Sequence, residues 1–141
     1  MCETAQDMFK LLVCTLLLFG LVLAVMVVLA GAEPIILTAS WYSVESCLRE
    51  GTSGIMANGR KLDDTKFTAA SWDYPFKTRL RITNCRSNKS VIIEITDRGP
   101  SKRLVKKGRV IDLSRAAFAY LVGGEQNLKI GVIPIKIEVL N

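Results

Sequence analysis

Ser90-Val91-Ile92-Ile93-Glu94-Ile95-Thr96-Asp97-Arg98-Gly99-Pro100 is the stretch on which the reading of this chain turns. Val91, Ile93 and Ile95 alternate with Ile92, Glu94 and Thr96, the period of a strand with one apolar face and one mixed face. At its end an acid stands where the strand breaks into a Gly-Pro turn. A carboxylate placed there is held by the sheet while facing open space, the geometry that general acid catalysis needs. Val110-Ile111-Asp112-Leu113-Ser114-Arg115 repeats the arrangement, a short apolar run with an acid near its end. The chain contains no histidine, so these two aspartates are the leading candidates for chemistry. Each also has a plainer reading. Asp97 can organise the turn, because Asp accepts from backbone N–H groups two residues on, and Asp112 can support the helix entry that comes after it.

Outward from these two runs, short β-rich segments are punctuated by Gly, Asn and Asp. Strands are predicted at 36–42, 66–70, 79–84, 90–96, 110–113 and 130–140, the last long or bent, with Asn84 to Lys89 as a hairpin loop. One helix is predicted over 115–122: Ser114 offers a cap, alanines fill the first turn and Gly123-Gly124 ends it. Pro134 has no N–H to donate, so it belongs at a bulge or with that position turned away from the ladder. The pattern is that of an all-β barrel with one short helix, a single domain over residues 33–141.

Residues 1–32 differ in kind. From Leu11 to Ala32 the only polar side chain is Thr15, and about 20 apolar residues suffice to span a bilayer. The run ends in Ala30-Gly31-Ala32 before Glu33, a small-x-small pattern of leader cleavage. The segment is therefore read as a signal peptide or a retained membrane anchor, and residues 33–141 as exported to the periplasm, cell wall or exterior. Without residues 1–32 the chain keeps 18 basic and 11 acidic residues, a net charge of +7. Such a domain is drawn to anionic polymers; for an exported protein these are cell-wall or surface polyanions, and no nucleic-acid partner is expected. Lys102, Arg103, Lys106, Lys107 and Arg109 lie between the two aspartates, either as a solvated loop or as a grip on such a polymer.

Cys2 and Cys14 fall before or within the apolar run, which leaves Cys47 and Cys85 for the exported domain. An oxidising compartment permits them a disulfide, a staple of about 3–4 kcal/mol in the chain-entropy model. Trp41-Tyr42 and Trp72-Asp73-Tyr74 are aromatic groups suited either to the core or to stacking on sugar rings. The sequence has no Gly-rich phosphate loop, zinc-type cysteine spacing or Ser-His-Asp set, so neither a cofactor nor a metal is expected.

Ala39-Ser40-Trp41-Tyr42, Ala57-Asn58-Gly59, Phe67-Thr68-Ala69-Ala70, Thr78-Arg79-Leu80-Arg81-Ile82-Thr83-Asn84, Thr96-Asp97-Arg98-Gly99-Pro100 and Arg109-Val110-Ile111-Asp112-Leu113-Ser114-Arg115-Ala116-Ala117 occur in this order. With the closing Ile135-Lys136-Ile137-Glu138-Val139-Leu140, they make the chain resemble the rare lipoprotein A family over nearly all of the segment after residue 32. The resemblance implies a six-stranded double-psi β-barrel, the fold of expansins, and an activity found among family members, lytic cleavage of peptidoglycan glycan strands. In that chemistry one carboxylic acid protonates the glycosidic oxygen. As carboxylate it then helps the sugar's own 6-hydroxyl attack, giving a 1,6-anhydro product, whereas direct hydrolysis uses two acids.

The resemblance puts Asp97 at the acid position and Ser40 and Asp112 at polar groove positions. Tyr42, Ser71 and Arg98 complete the expected substrate contacts. Active transglycosylases of the family carry a histidine directly after the Thr-Ala-Ala run, where this chain has Ser71. That departure keeps a second reading open, a non-catalytic glycan-binding or wall-loosening module of the expansin kind. The expected partner is peptidoglycan or another cell-wall glycan. Membrane contact is expected only through residues 11–32 if they are uncleaved, and the chain is expected to act as a monomer.

Overall fold

Each run that alternates at period two becomes a strand in the computed structural model of the chain, which describes residues 5–30 and 36–140. The strands are β1 (Thr38–Tyr42), β2 (Thr68–Ala70), β3 (Arg79–Asn84), β4 (Ser90–Asp97), β5 (Arg109–Ser114) and β6 (Ile133–Leu140). They close into a six-stranded barrel in the order β1-β5-β2-β4-β3-β6. The β1/β5 and β2/β4 pairs are parallel and the others antiparallel. Closure leaves no strand edge open to a second chain. Leu80, Ile82, Ile93, Ile95, Ile111 and Leu113 fill the interior and are almost completely buried. They are the apolar half of each alternating run, removed from water by the pleat.

Several short helices connect the strands where the sequence predicts one. The predicted helix is the last α-helix of the chain, with the expected bounds. The first helix of this unit, α2 (Val44–Arg49), begins at a capping box. The Ser46 N–H donates to Ser43 Oγ at 3.1 Å, and the Ser43 N–H donates to Ser46 Oγ at 2.9 Å. Six residues are too few for helical periodicity to register in a sequence, so only the cap signals it. A single turn, α3 (Lys102–Val105), orders the start of the basic cluster. Next comes α4 (Arg115–Val122), which Gly123 ends in the left-handed conformation at φ 86°. Ser114 precedes α4 without capping it. Its hydroxyl donates to the Lys66 carbonyl at 2.6 Å and accepts from the Thr68 N–H at 3.3 Å, tying β5 to the entry of β2.

The predicted final strand begins later than 130, because Glu125–Ile130 forms a 3₁₀ turn and Gly131 comes next at φ 72°. Pro134 stands where β6 leaves β1 for β3. It is registered with Thr38, next to an irregularity at Thr38/Ala39, and its carbonyl accepts from the Cys85 N–H at 2.9 Å. Its missing N–H thus falls at the change of partner, where a central ladder would otherwise lose a bond.

Helix α1 (Ala5–Ala30) belongs to a separate unit. Its side chains are described at Gln6 and from Met8 to Val22; the large apolar ones are exposed, Leu11 at 71% and Phe19 at 70%. Among the described residues no helix is long and apolar enough to cross a membrane. Cys2 and the Gly31-Ala32 part of the cleavage pattern lie outside the described residues.

Candidate active site

Four residues on neighbouring strands form one row across the barrel. Ser40 of β1 is registered with Asp112 of β5, Asp112 with Ala70 of β2, and Ala70 with Asp97 of β4. The neighbours Ala39, Ile111, Leu113 and Ala69 of the first three are buried in the core, so by strand alternation those three face outward from it. The register slips between Ala69 and Ala70, whose partners are Ile95 and Asp97, leaving Thr96 as an extra residue. This bulge is what brings Asp97 to the outer face. With Ala70 between them, the two acids are separated by two strand spacings, about 10 Å between Cα atoms.

A groove of about 730 Å³ runs over this row. Ala70 and Gly99 keep its floor low: a Cβ on Gly99 would lie 3.3 Å from Ala70 Cβ and 3.6 Å from Asp112 Oδ2. Tyr42, Cys47 and Glu50 line one part of it, and Pro100, Leu104 and Arg109 another.

Asp97 is held by backbone. Its Oδ1 accepts from the N–H groups of Ala57 and Arg98, both at 2.8 Å. Ala57 belongs to a tight hairpin over 55–61, in which Met56 and Arg60 pair at 2.8 Å and the Asn58 N–H reaches the Thr96 carbonyl at 3.3 Å. The Tyr42 hydroxyl also stands close enough to act on this carboxylate. The two N–H groups on Oδ1 fix the orientation of the carboxyl.

Asp112 is tied differently. Its Oδ1 accepts from the Ser40 hydroxyl. Burial pushes its carboxyl above the usual range, a rise opposed by the Ser40 hydrogen bond and by Arg109 and reinforced by Glu50. A carboxyl whose folded pKa is raised contributes stability that is fully present below its unfolded value and is lost as pH rises through the folded value. Asp112→Asn removes this titration. The stability of the native chain minus that of the variant should fall as pH rises from about 4 to 7, the window above the unfolded carboxylate value. Urea midpoints of both proteins across that range check the sign; a difference that grows with pH contradicts it.

The Tyr42 hydroxyl is enclosed and without a hydrogen-bond partner. Burial, then the Asp97 charge, pushes the phenol well above its ordinary range and keeps it neutral. It is a proton donor that faces the candidate acid.

Two of the expected substrate contacts have partners within the fold. Ser71 has no exposed surface, and its hydroxyl donates to the Val110 carbonyl and accepts from the Asp73 N–H, each at 3.3 Å. It meets Asp97 through backbone alone, its N–H donating to the Asp97 carbonyl at 3.2 Å. Arg98 borders the groove, but its guanidinium is engaged elsewhere. It donates to the carbonyls of Ser71 at 2.7 Å and Tyr74 at 2.9 Å and lies 3.8 Å from the Phe76 ring centroid. It clamps the 71–76 loop, which a charge read only from its place beside Asp97 does not reveal.

The expected disulfide is also corrected: Cys47 and Cys85 are free thiols. Cys47 lines the groove with Asp97, at the end of β4. Cys85 lies by the start of β4, where the neighbouring Asn84 N–H bonds the Lys89 carbonyl. The intervening strand spans about 25 Å, far beyond the roughly 7 Å Cα limit of a bridge. The aromatic groups divide as well. Trp41 packs on the core and bonds the Leu128 carbonyl, whereas Trp72 is 47% exposed, its indole N–H pinned to the Pro100 carbonyl at 2.7 Å. Lys102 Nζ lies 5.4 Å from the Trp72 ring centroid.

A protein-family model described as lytic transglycolase matches residues 35–137. The endolytic peptidoglycan transglycosylase RlpA of Rickettsia felis is 37% identical over 103 residues, 72% of this chain and 40% of that protein. Its namesake in Neisseria meningitidis is 40% identical over 100 residues, 71% and 36% of the two chains. An RlpA protein of Nostoc sp. is 45% identical over 86 residues, 60% and 20% of the two. The chain thus spans a fifth to two fifths of the length of these relatives. Among solved structures, the Streptomyces papain inhibitor superposes with a TM-score of 0.53 at 20% identity, covering 75% of this chain and 93% of its own. That likeness carries the barrel fold and nothing more.

Proposed function

Because the chain belongs to the lytic transglycolase family, we propose that it is an exported lytic transglycosylase of peptidoglycan, with Asp97 as acid and then base. The observation that carries this reading is the fixed Asp97 carboxyl on the groove, with Oδ1 held by two backbone N–H groups. In the proposed reaction Oδ2 gives its proton to the glycosidic oxygen as the bond from that oxygen to the anomeric carbon breaks. The resulting carboxylate takes the proton of the sugar's 6-hydroxyl as O6 closes on the same carbon. The Ser40–Asp112 pair binds hydroxyl or amide groups of the glycan, and the neutral Tyr42, on the groove wall, supports Asp97. Export rests on α1, whose exposed apolar surface needs a non-aqueous environment, as a leader or an anchor.

A second reading, a glycan-binding barrel without turnover, is favoured by one observation: the position after Thr68-Ala69-Ala70 is the buried Ser71, which offers the groove no proton carrier. Incubation of the full chain with purified sacculi separates the two. Release of soluble muropeptides supports the enzyme, and sedimentation with the wall without release supports the binding barrel.

The basic segment is assigned the role of gripping an anionic wall. Lys106→Ala with Lys107→Ala should weaken sedimentation on sacculi and flatten its salt dependence, because exposed charges act through a field that salt screens over about 10 Å. Sedimentation that is unchanged at every salt concentration would return these lysines to simple solvation.

A further inference from the structure

The 55–61 hairpin that holds Asp97 has a second cleft on it. Ile55 lines the groove, whereas Met56 and Lys61 line a separate cleft of about 370 Å³. Arg60, Lys61 and Lys66 bring three cations to it, against the acids Asp63 and Glu94. Asp63 is already occupied, its Oδ1 accepting from the Thr65 N–H at 2.9 Å and the Thr65 hydroxyl at 2.6 Å. Among the described residues none of the three cations forms a salt bridge or a side-chain hydrogen bond, although, with the Thr65 hydrogen bonds, the Lys66 charge helps to hold the Asp63 carboxyl below its usual range, leaving Arg60 and Lys61 without an acidic partner. Beside them Phe67, 44% exposed, and Tyr120, 52% exposed, make a tilted pair with ring centroids 6.0 Å apart. Thr68, also on the cleft wall, has an enclosed Oγ1 without a hydrogen-bond partner.

These features call for one kind of ligand. An exposed aromatic face accepts the apolar C–H face of a pyranose ring. Unpaired guanidinium and ammonium groups accept an anion, and the guanidinium does so with two parallel donors. A neutral sugar leaves the cations idle, and a bare anion leaves the aromatic pair uncovered. We infer that this cleft is a second glycan site, taking a sugar ring that carries a carboxylate or phosphate substituent. It goes beyond the proposed reaction and stands or falls without Asp97 chemistry.

Amide NMR spectra of the full chain in detergent, titrated with three sugars, test this. N-acetylmuramic acid and N-acetylglucosamine 1-phosphate carry the two anions; N-acetylglucosamine carries none. Saturable shifts are expected at Lys61, Phe67 and Thr68 with an anionic sugar and not with the neutral one. The tighter of the two anionic sugars tells whether the anion is carboxylate or phosphate. Arg60→Gln with Lys66→Gln should weaken binding about tenfold or more, as loss of hydrogen bonds to a charged group requires, with the rest of the spectrum unchanged. Lys66→Gln alone supplies the comparison if the double variant loses its dispersed spectrum. Equal shifts from the neutral sugar, no saturable shift at these amides, or undiminished affinity in the folded variant would each overturn the inference.

Discussion

Asp97→Asn is expected to lower muropeptide release by about 10²–10⁴-fold, the range that a positioned general acid and base supplies. Wall sedimentation should stay near the native level. The substitution is nearly isosteric, and the asparagine Oδ1 can still accept from the Ala57 and Arg98 N–H groups that hold the native carboxylate. Only the exchangeable proton on Oδ2 is lost. A binding role survives that change and a proton-transfer role does not. Release by the variant at the native rate would remove Asp97 from the chemistry.

Phe118→Ala is expected to produce the largest loss of stability. Phe118 lies in the middle of α4 with no exposed surface, against a helix face that packs on β1, β3, β4 and β5. Its ring lies 6.4 Å from that of Trp41. Truncating a buried phenylalanine to alanine costs about 3–5 kcal/mol, lost transfer energy plus the cavity left behind. Against a typical domain stability of about 5–15 kcal/mol, this brings the barrel close to unfolding. Urea unfolding followed by tryptophan emission should show a much lower midpoint; a shift worth under 1 kcal/mol would mean that α4 does not close the core.

How much the sequence disclosed depends on physical range. Strand existence was legible because Val91, Ile93 and Ile95 carry their own periodicity, and α4 because alanines and a double glycine mark its span. The candidate acids were legible because a Gly-Pro turn and a family motif both point to Asp97. Contacts between distant segments were not. The Ala57 N–H on Asp97 joins residues 40 positions apart, and nothing in Ala57-Asn58-Gly59 says where the hairpin lands. Ser71 and Arg98 stand beside the acid in sequence or sheet, yet one points into the core and the other grips the 71–76 loop. Ser114 fits a cap by position and instead satisfies the Lys66 carbonyl, a partner 48 positions away that no local pattern announces. The cysteine pairing failed for the same reason, since two residues left over by elimination need not meet in space.

The central claim, cleavage by one acid without an attacking water, is tested most directly by mass spectrometry of the fragments released from purified peptidoglycan by the full chain. Fragment ends one water lighter than hydrolysed ones are expected, 1,6-anhydro-muropeptides that Asp97→Asn does not make. Fragments ending in free reducing sugars would contradict it in favour of hydrolysis, and native protein that sediments with the wall yet releases nothing would contradict it in favour of a binding barrel.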